Sequence, residues 1–284
     1  MLRFSSFLKE DYNELIEKLI TLGGKAYPNF GNVVIMAGGA GSGKGFIKDN
    51  LLGLEGYSFD VDDLKSLASR TPAIVSRIKS EMGIDLADLA ANLKNPENVS
   101  KLHDIIGNYL KLDSARKKAF YRSVISAPAE RKPNIIFDVT LKDLRKLQNI
   151  AQDVANLGYD KKNVHIVWVV NDIEIAKKQN AERDRKVPVE ILVNTHRGAS
   201  QTMLDIVNMG TSLKRYMDGD IVFAFNKIGV DADLVKSKRG GSYVKNANYF
   251  YIKKSGKPVM KLSDVSSDVK RKIAQYVPKN AEWD

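Results

Sequence analysis

A glycine-rich segment with one lysine follows a short apolar run and has the pattern of a phosphate-binding loop. Residues 38–45 read Gly-Gly-Ala-Gly-Ser-Gly-Lys-Gly, directly after the apolar run Val33–Ala37. In such a loop, successive backbone N–H groups and the start of the next helix bind phosphate oxygens, and the lysine reaches the outer phosphates. We therefore expect a nucleotide to bind at Gly38, Gly39, Ala40, Gly41, Ser42, Gly43, Lys44, Gly45 and Phe46.

The loop departs from the usual pattern after its lysine. Most P-loops have a Ser or Thr there, whose hydroxyl binds Mg²⁺, whereas this chain has Gly45 and then Phe46. The ending Gly-Lys-Gly is similar to that of nucleoside monophosphate kinases of the adenylate kinase type, in which a Thr usually follows. We therefore expect ATP phosphates, water and nearby carboxylates to hold the metal.

Apolar and helical patterns alternate along the chain. This alternation predicts an α/β fold of the P-loop NTPase type, with a mainly parallel sheet flanked by helices. The apolar runs predict strands over residues 33–37, 57–59, 135–137 and 164–170. Ligands of such sheets bind at the carboxyl ends of the strands. The residues that fall there are Gly38, Asp60, Asp62 and Asp138.

We expect three regions along the chain. Residues 1–30 form an N-terminal helical segment, residues 31–226 the nucleotide-binding core, and residues 227–284 a small appendage with a hairpin and a helix. Within the core, the helical stretch over about 64–127 is too long for one crossover connection. It therefore predicts an inserted helical subdomain beside the site.

Composition excludes several classes of protein. The 284 residues contain no cysteine, which excludes disulfides and thiolate zinc sites and favours a reducing, cytoplasmic setting. No apolar run approaches the roughly 20 residues that span a bilayer, so no membrane partner is expected. Acidic residues within the amphipathic first 20 residues argue against a targeting peptide. The three histidines, His103, His165 and His196, are scattered, which argues against a His-based metal site.

Basic residues are concentrated near the C-terminus. The chain has a net charge of +11, and residues 227–284 hold 13 basic and six acidic residues, a net +7. Aromatic residues at Tyr243, Tyr249, Phe250 and Tyr251 alternate with lysines, and Ser255-Gly256 predicts a hairpin turn. This combination suits nucleic acid, through phosphate contacts and base stacking. The alternative is a hairpin whose aromatic residues pack on the final helix, with solvated lysines.

Three further segments carry a family resemblance. They read Tyr-Ser-Phe-Asp-Val-Asp-Asp-Leu-Lys at 57–65, Ile-Phe-Asp-Val-Thr at 136–140 and Ala-Glu-Arg-Asp-Arg-Lys-Val-Pro at 181–188. Together with the P-loop, in this order and spacing, they resemble the zeta-toxin group of P-loop kinases, and polynucleotide-kinase relatives share the plan. The resemblance covers about residues 33–209. It implies transfer of the γ-phosphate of ATP to an acceptor hydroxyl, with ATP and Mg²⁺ as cofactors.

The resemblance also implies roles for individual carboxylates and one lysine. Asp62 corresponds to the catalytic aspartate that orients or deprotonates the acceptor hydroxyl, with Asp60 as the alternative. Another alternative is that Asp62 or Asp63 caps the following helix. Lys65 stands where the family often has an arginine that contacts the substrate, and Asp60 is expected to contact the substrate as well. Asp138 is expected to hold Mg²⁺ or orient water, with Asp62 as a second metal ligand.

Two arginines fit a mobile lid over residues 183–188. Arg183 and Arg185 lie on a polar turn, and guanidinium groups stay charged and bind phosphate bidentately. The alternative is a pair of arginines on a solvated helix end. Thr140 is expected to cap the next helix, or else to contact the phosphates or the substrate.

These observations favour an ATP-dependent kinase whose acceptor is a nucleic acid, with modified DNA and a bacteriophage setting among the options. The alternative acceptor is a small nucleotide, nucleoside or nucleotide sugar. A different class also stays open, namely a non-catalytic nucleotide-binding adaptor or virion-associated protein. The missing Ser/Thr after Lys44 favours that class, whereas Asp62, Arg183 and Arg185 together argue against it.

Overall fold

The computed structural model describes residues 20–25, 28–236, 242–254, 257, 262–279 and 283, and within them seven strands form one sheet. The strands are β1 (Val33–Ala37), β2 (Tyr57–Phe59), β3 (Ile135–Asp138), β4 (Val164–Val170), β5 (Ile221–Phe225), β6 (Ala232–Lys236) and β7 (Ser242–Lys253). Their order across the sheet is β2-β3-β1-β4-β5-β7-β6. The predicted N-terminal helix and the hairpin turn at Ser255-Gly256 lie outside the described residues.

The first five strands are parallel, which confirms the predicted α/β class. β1 pairs with β3 on one side and with β4 on the other, and β2 and β5 extend the two sides. The chain therefore places β2 and β3 on one side of β1 before it crosses to β4 and β5. Loops after the strands next to such a reversal border a ligand crevice, and here these are the loops after β1 and β3.

The described helices are bounded by local signals. They are α1 (Lys44–Asn50), α2 (Val61–Arg70), α3 (Pro72–Met82), α4 (Leu86–Ala91), α5 (Pro96–His103), α6 (Leu112–Ile125), α7 (Leu144–Asn156), α8 (Ile173–Glu182), α9 (Val189–Asn208) and α10 (Ser267–Tyr276). Pro72 and Pro96 occupy first turns, where a missing N–H breaks no helical bond. Gly83 ends α3 with φ 69°, a conformation that favours glycine. No described helix is long and apolar enough to cross a membrane.

Hydrophobic residues form a separate cluster within the inserted helices. All seven residues of β4 are buried, and both faces of the sheet are covered by apolar side chains. Helices α2 to α5 and the short π-helix Asp104–Tyr109 instead surround their own core, which includes Leu64, Ile78, Leu86 and Ile106. The inserted helices therefore have a hydrophobic core of their own, separate from the two cores that cover the sheet.

The C-terminal strands extend the sheet. The sequence analysis predicts no strand at the position of β5. β7 pairs antiparallel with β5, and β6 pairs antiparallel with β7. The buried Asp231 accepts hydrogen bonds from Tyr276 Oη at 2.8 Å and Asn248 Nδ2 at 3.2 Å, and it also contacts Lys272. One carboxylate thus joins the loop after β5, strand β7 and helix α10.

Candidate active site

The loop after β1 has the backbone conformation of a P-loop. Gly38, Gly41 and Gly43 have φ values of 149°, 74° and 90°, which favour glycine over other residues. Helix α1 then begins at Lys44. Within the described residues, no hydrogen bond engages the N–H groups of Gly41, Gly43, Lys44 and Gly45. Because these donors have no partner in the part of the chain that the structure describes, they are available to phosphate oxygens, as a phosphate-binding loop requires.

Two side chains of α9 form hydrogen bonds with the backbone of the P-loop. The Ala40 N–H donates to Thr195 Oγ1 at 3.0 Å, and His196 Nε2 donates to the Ala40 carbonyl at 2.8 Å. Both backbone groups of Ala40 are therefore bonded to side chains of α9, and the Ala40 N–H is not available to phosphate. Burial lowers the pKa of His196 to about 4, and the charge of Lys44 acts in the same direction. His196 is therefore neutral near pH 7.

Asn226, the residue after β5, also forms a hydrogen bond with the backbone of the P-loop. Asn226 donates from Nδ2 to the Ser42 carbonyl at 3.0 Å. A Cβ at Gly43 would lie 1.8 Å from that nitrogen, so the contact requires glycine there. The buried Ser42 hydroxyl has no hydrogen-bond partner among the described residues. Ser42 thus packs inside the loop, and its position does not replace the missing Ser/Thr after Lys44.

Lys44 lies next to the carboxylate that ends β3. Its Nζ donates to the Gly38 carbonyl at 3.0 Å and lies 3.6 Å from Asp138 Oδ1. Burial raises the pKa of the Asp138 carboxyl; Lys44 opposes this effect, whereas the negative charges of Asp60 and Asp62 add to it. The carboxylates predicted at two strand ends are therefore close enough to interact with one another and with the P-loop lysine.

Asp62 lies between two cations, Arg185 and Lys65, and these three residues form the charged group of the site. Its carboxylate contacts the Arg185 guanidinium and accepts a hydrogen bond from Lys65 Nζ at 3.2 Å. Burial alone would raise the pKa of Asp62, but Arg185 and Lys65 outweigh it and hold the pKa below its usual range. Asp62 is thus ionised at neutral pH and 48% exposed, whereas Lys65 is buried.

Two helices, α2 and α7, are capped by residues other than those expected from the sequence. Asp60 caps α2, because its Oδ1 accepts from the Asp62 N–H at 2.8 Å. The side chain of Asp62 is therefore left for Arg185 and Lys65. The expectation that Thr140 caps α7 is wrong, since Asp143 caps it through the Arg145 N–H. The Thr140 carbonyl instead accepts from the Gly38 N–H at 3.3 Å, which joins the loops after β3 and β1.

The predicted lid segment, residues 183–188, is held by hydrogen bonds near its C-terminal end. Asn180 bonds both backbone groups of Val187, at 2.7 and 2.9 Å, and the Lys186 N–H donates to the Leu93 carbonyl in the insertion. Arg185 points to Asp62, whereas Arg183 is exposed and forms no ion pair among the described residues. Of the two arginines, the structure brings only Arg185 into the charged group.

The residues present offer limited metal ligands. No group of three or more His, Asp or Glu side chains that could hold a metal ion forms among the described residues. Both carboxylate oxygens of Asp62 already face cations. Asp138 fits better, because among the described residues only its Oδ1 lies within 4 Å of a cation, Lys44, and carboxylate oxygens are hard donors of the kind Mg²⁺ prefers. A metal here would depend on nucleotide phosphates and water for its other ligands.

Two aromatic residues of the C-terminal region make contacts within the protein. Phe250 contacts Phe223 and Phe225 with ring centroids 5.2 and 6.0 Å apart, and Tyr251 Oη is bonded to the backbone of Thr21. Tyr243 lies among residues whose side chains are not described. Three of the region's cations are also engaged internally: Lys227 with Asp172, Lys253 with Asp218 and Lys272 with Asp231.

A mainly parallel sheet whose first strand leads into this glycine-rich loop, with Lys44 at the start of the next helix, defines a P-loop NTPase-type α/β protein. No family model matches the sequence, and no curated protein matches it. Among solved structures, a chain of the AvrRxo1-ORF1:-ORF2 complex with ATP is similar, with 9% identity and a TM-score of 0.43. The match covers 89% of this chain and 66% of that one, slightly less than two thirds of its length.

A chain of the PezAT chromosomal toxin–antitoxin system of Streptococcus pneumoniae is also similar, with 15% identity and a TM-score of 0.39. That match covers 78% of this chain and 75% of the other. At such identities and TM-scores, these similarities establish neither a family nor an activity for this chain.

Proposed function

We propose that this protein is an ATP-dependent kinase that transfers the γ-phosphate to an acceptor hydroxyl. The observation that carries the proposal is the Asp62 carboxylate, paired with Arg185 and Lys65, at the same end of the parallel strands as Lys44 and Asp138. A P-loop alone would suit an ATPase or a nucleotide-binding adaptor. A separate, ionised carboxylate with two cations beside it supplies what transfer to a hydroxyl also needs.

Each residue has a role that follows from its chemistry. Lys44 and the unengaged N–H groups of the loop bind and neutralise the outer phosphates of ATP. Arg185 moves from Asp62 to the transferring phosphoryl group, which frees a carboxylate oxygen of Asp62. That oxygen orients the acceptor hydroxyl and accepts its proton. Arg183, exposed on the same segment, adds positive charge when the lid closes.

Mg²⁺ is part of the proposal. Asp138 would hold it, together with nucleotide phosphates and water, and the ion would neutralise charge on the phosphates. Lys44 would then bind phosphate oxygens in place of its contacts with Asp138 and the loop carbonyls.

Two classes of acceptor have support. The net charge of +7 over residues 227–284 favours a nucleic acid. The packed aromatic residues and the internal ion pairs of the same region favour a small nucleotide, nucleoside or nucleotide sugar, because they remove groups that would stack on bases or contact phosphates. The resemblance to zeta-toxin and polynucleotide-kinase groups is compatible with either acceptor.

The test is transfer of label from γ-labelled ATP with Mg²⁺ to parallel acceptor pools. The pools are single-stranded DNA, duplex DNA with and without hydroxymethylated bases, RNA, nucleosides, nucleotides and nucleotide sugars. Label in any pool supports a kinase and identifies its acceptor class. ATP binding without label in any pool contradicts the proposal and supports an adaptor.

A further inference from the structure

A second group of cations lies next to the candidate active site, between α6 and α7. Arg116 Nη2 donates to the Asp60 carbonyl at 2.9 Å, which places its guanidinium at the carboxyl end of β2. The same guanidinium lies 5.3 Å from the ring centroid of Phe59, and the Lys117 ammonium lies 5.9 Å from it. The two cations thus lie near one aromatic ring, that of Phe59, three residues before Asp62.

Arg116 and Lys117 share a single carboxylate, that of Asp113. Asp113 accepts a hydrogen bond from Lys117 at 2.6 Å and lies 3.7 Å from Arg116. Asp113 Oδ1 and Arg116 Nε are nevertheless buried without a hydrogen-bond partner among the described residues. The side chains of Arg116 and Lys117 are only 19% and 20% exposed, so their charges are poorly hydrated.

Lys146, in the first turns of α7, adds a third cation. It forms no ion pair among the described residues. Burial lowers its pKa, and the charge of Lys117 does so too, while Asp113 and Asp153 act in the opposite direction. Partly buried cations that outnumber their counter-ions are destabilising unless an anion joins them.

We propose that Arg116, Lys117 and Lys146 bind a phosphate group that the acceptor carries in addition to its reacting hydroxyl. This inference rests on the proposed kinase function, since it describes the acceptor of the same site. An arginine fork with two flanking ammonium groups suits a phosphate better than a carboxylate, because the phosphate offers more acceptor oxygens and more charge. The phosphate belongs to a mononucleotide or to a nucleic-acid strand.

The test is a binding measurement that does not depend on phosphoryl transfer. The 284-residue protein is first saturated with a non-hydrolysable ATP analogue and Mg²⁺, so that the P-loop is filled. Pyrophosphate is then titrated calorimetrically, followed in separate arms by a mixture of nucleoside monophosphates and by a mixed-sequence single-stranded octanucleotide. The variants are Arg116→Gln and Lys146→Gln, with Lys118→Gln, an exposed neighbour on α6, as the matched control.

We expect wild type and Lys118→Gln to bind pyrophosphate at a second site, and Arg116→Gln and Lys146→Gln to bind it at least tenfold more weakly. Tighter binding of the mononucleotides or of the octanucleotide identifies the source of the phosphate. Absence of a second site, or equal affinity in all four proteins, overturns the inference. Urea midpoints exclude unfolding of the Arg116 variant, and Lys146→Gln tests the site independently.

Failure of this inference and failure of the kinase proposal are distinguishable. Label transfer without a second phosphate site leaves the kinase and removes the subsite. A second site without label transfer to any acceptor leaves a phosphate-binding cluster and removes the kinase.

Discussion

Gly39 lies so close to His196 that a Cβ at Gly39 would be 2.1 Å from Cδ2 of the imidazole ring. The same ring donates a hydrogen bond to the carbonyl of Ala40, the next residue of the P-loop. Helix α9 therefore sets the position of the loop, and position 39 admits no side chain unless the ring moves.

We expect Gly39→Ala to weaken ATP binding at least tenfold and to lower the free energy of unfolding by about 1–3 kcal/mol, as overpacking does. ATP titration and urea denaturation measure the two effects. Gly45→Ala is the matched control for stability, because no atom lies within 4 Å of its added Cβ. The double variant Gly39→Ala/His196→Ala should regain part of the lost stability. A Gly39→Ala protein as stable as wild type would contradict the observed packing.

The pKa of His196 gives stability a defined pH dependence. The folded value is about 4 and the ordinary value is 6.5, so the unfolded chain binds a proton in this range that the folded protein does not. Stability from neutral His196 is complete above pH 6.5 and is lost as the pH falls towards 4, by about 1.4 kcal/mol per pH unit. Urea unfolding at pH 7, 6 and 5 measures the slope. His196→Asn should show a smaller slope than wild type, and equal slopes would contradict the burial of a neutral ring.

Asp62→Asn tests the proposed base. We expect the transfer rate to fall about 10²-fold or more, while the dissociation constant of ATP changes less than threefold, because Asp62 is proposed to contact the acceptor hydroxyl and not ATP. Single-turnover transfer and ATP titration separate the two effects. Asp88→Asn, an exposed acid of the insertion, is the control. An equal loss of ATP affinity and rate would assign Asp62 to nucleotide binding instead.

Asp231→Asn tests the role of the C-terminal region in the fold. Removing this buried carboxylate leaves Lys272 without its counter-ion and weakens the bond to Tyr276. We expect the free energy of unfolding to fall by about 3 kcal/mol. Asp268→Asn, which removes an exposed partner of Arg271 on the same helix, should change it little. Similar unfolding midpoints for the two variants would show that the region does not stabilise the core.

Local signals were sufficient to predict much of the fold. The glycine pattern after β1 and the apolar runs of β1, β2, β3 and β4 are each encoded within a few residues. The carboxyl ends of β1 and β3 follow from parallel pairing. For this reason the sequence alone predicts Lys44 and Asp138 at the same edge of the sheet.

Contacts between distant segments could not be predicted in this way. Thr195 and His196 follow Ala40 by about 155 residues, and Asn226 follows Ser42 by 184. Because these residues are so far apart in the sequence, local patterns do not predict the hydrogen bonds between them. The cap of α7 was misassigned because Thr140 and Asp143 are both good capping residues, and only the geometry of the intervening loop, with Leu141 at φ 48°, decides between them. Likewise, the pattern of basic and aromatic residues near the C-terminus is the same whether these side chains pack inside the protein or contact a ligand.

The most direct test of the proposed kinase compares wild type, Lys44→Ala and Lys178→Ala in single-turnover transfer from γ-labelled ATP to the acceptor pools. Lys178 is an exposed lysine on α8 and serves as the matched control. We expect wild type and Lys178→Ala to label the same acceptor, and Lys44→Ala to show no transfer above background. Undiminished transfer by Lys44→Ala would contradict the assignment of the loop after β1 as the site that binds the transferring phosphate.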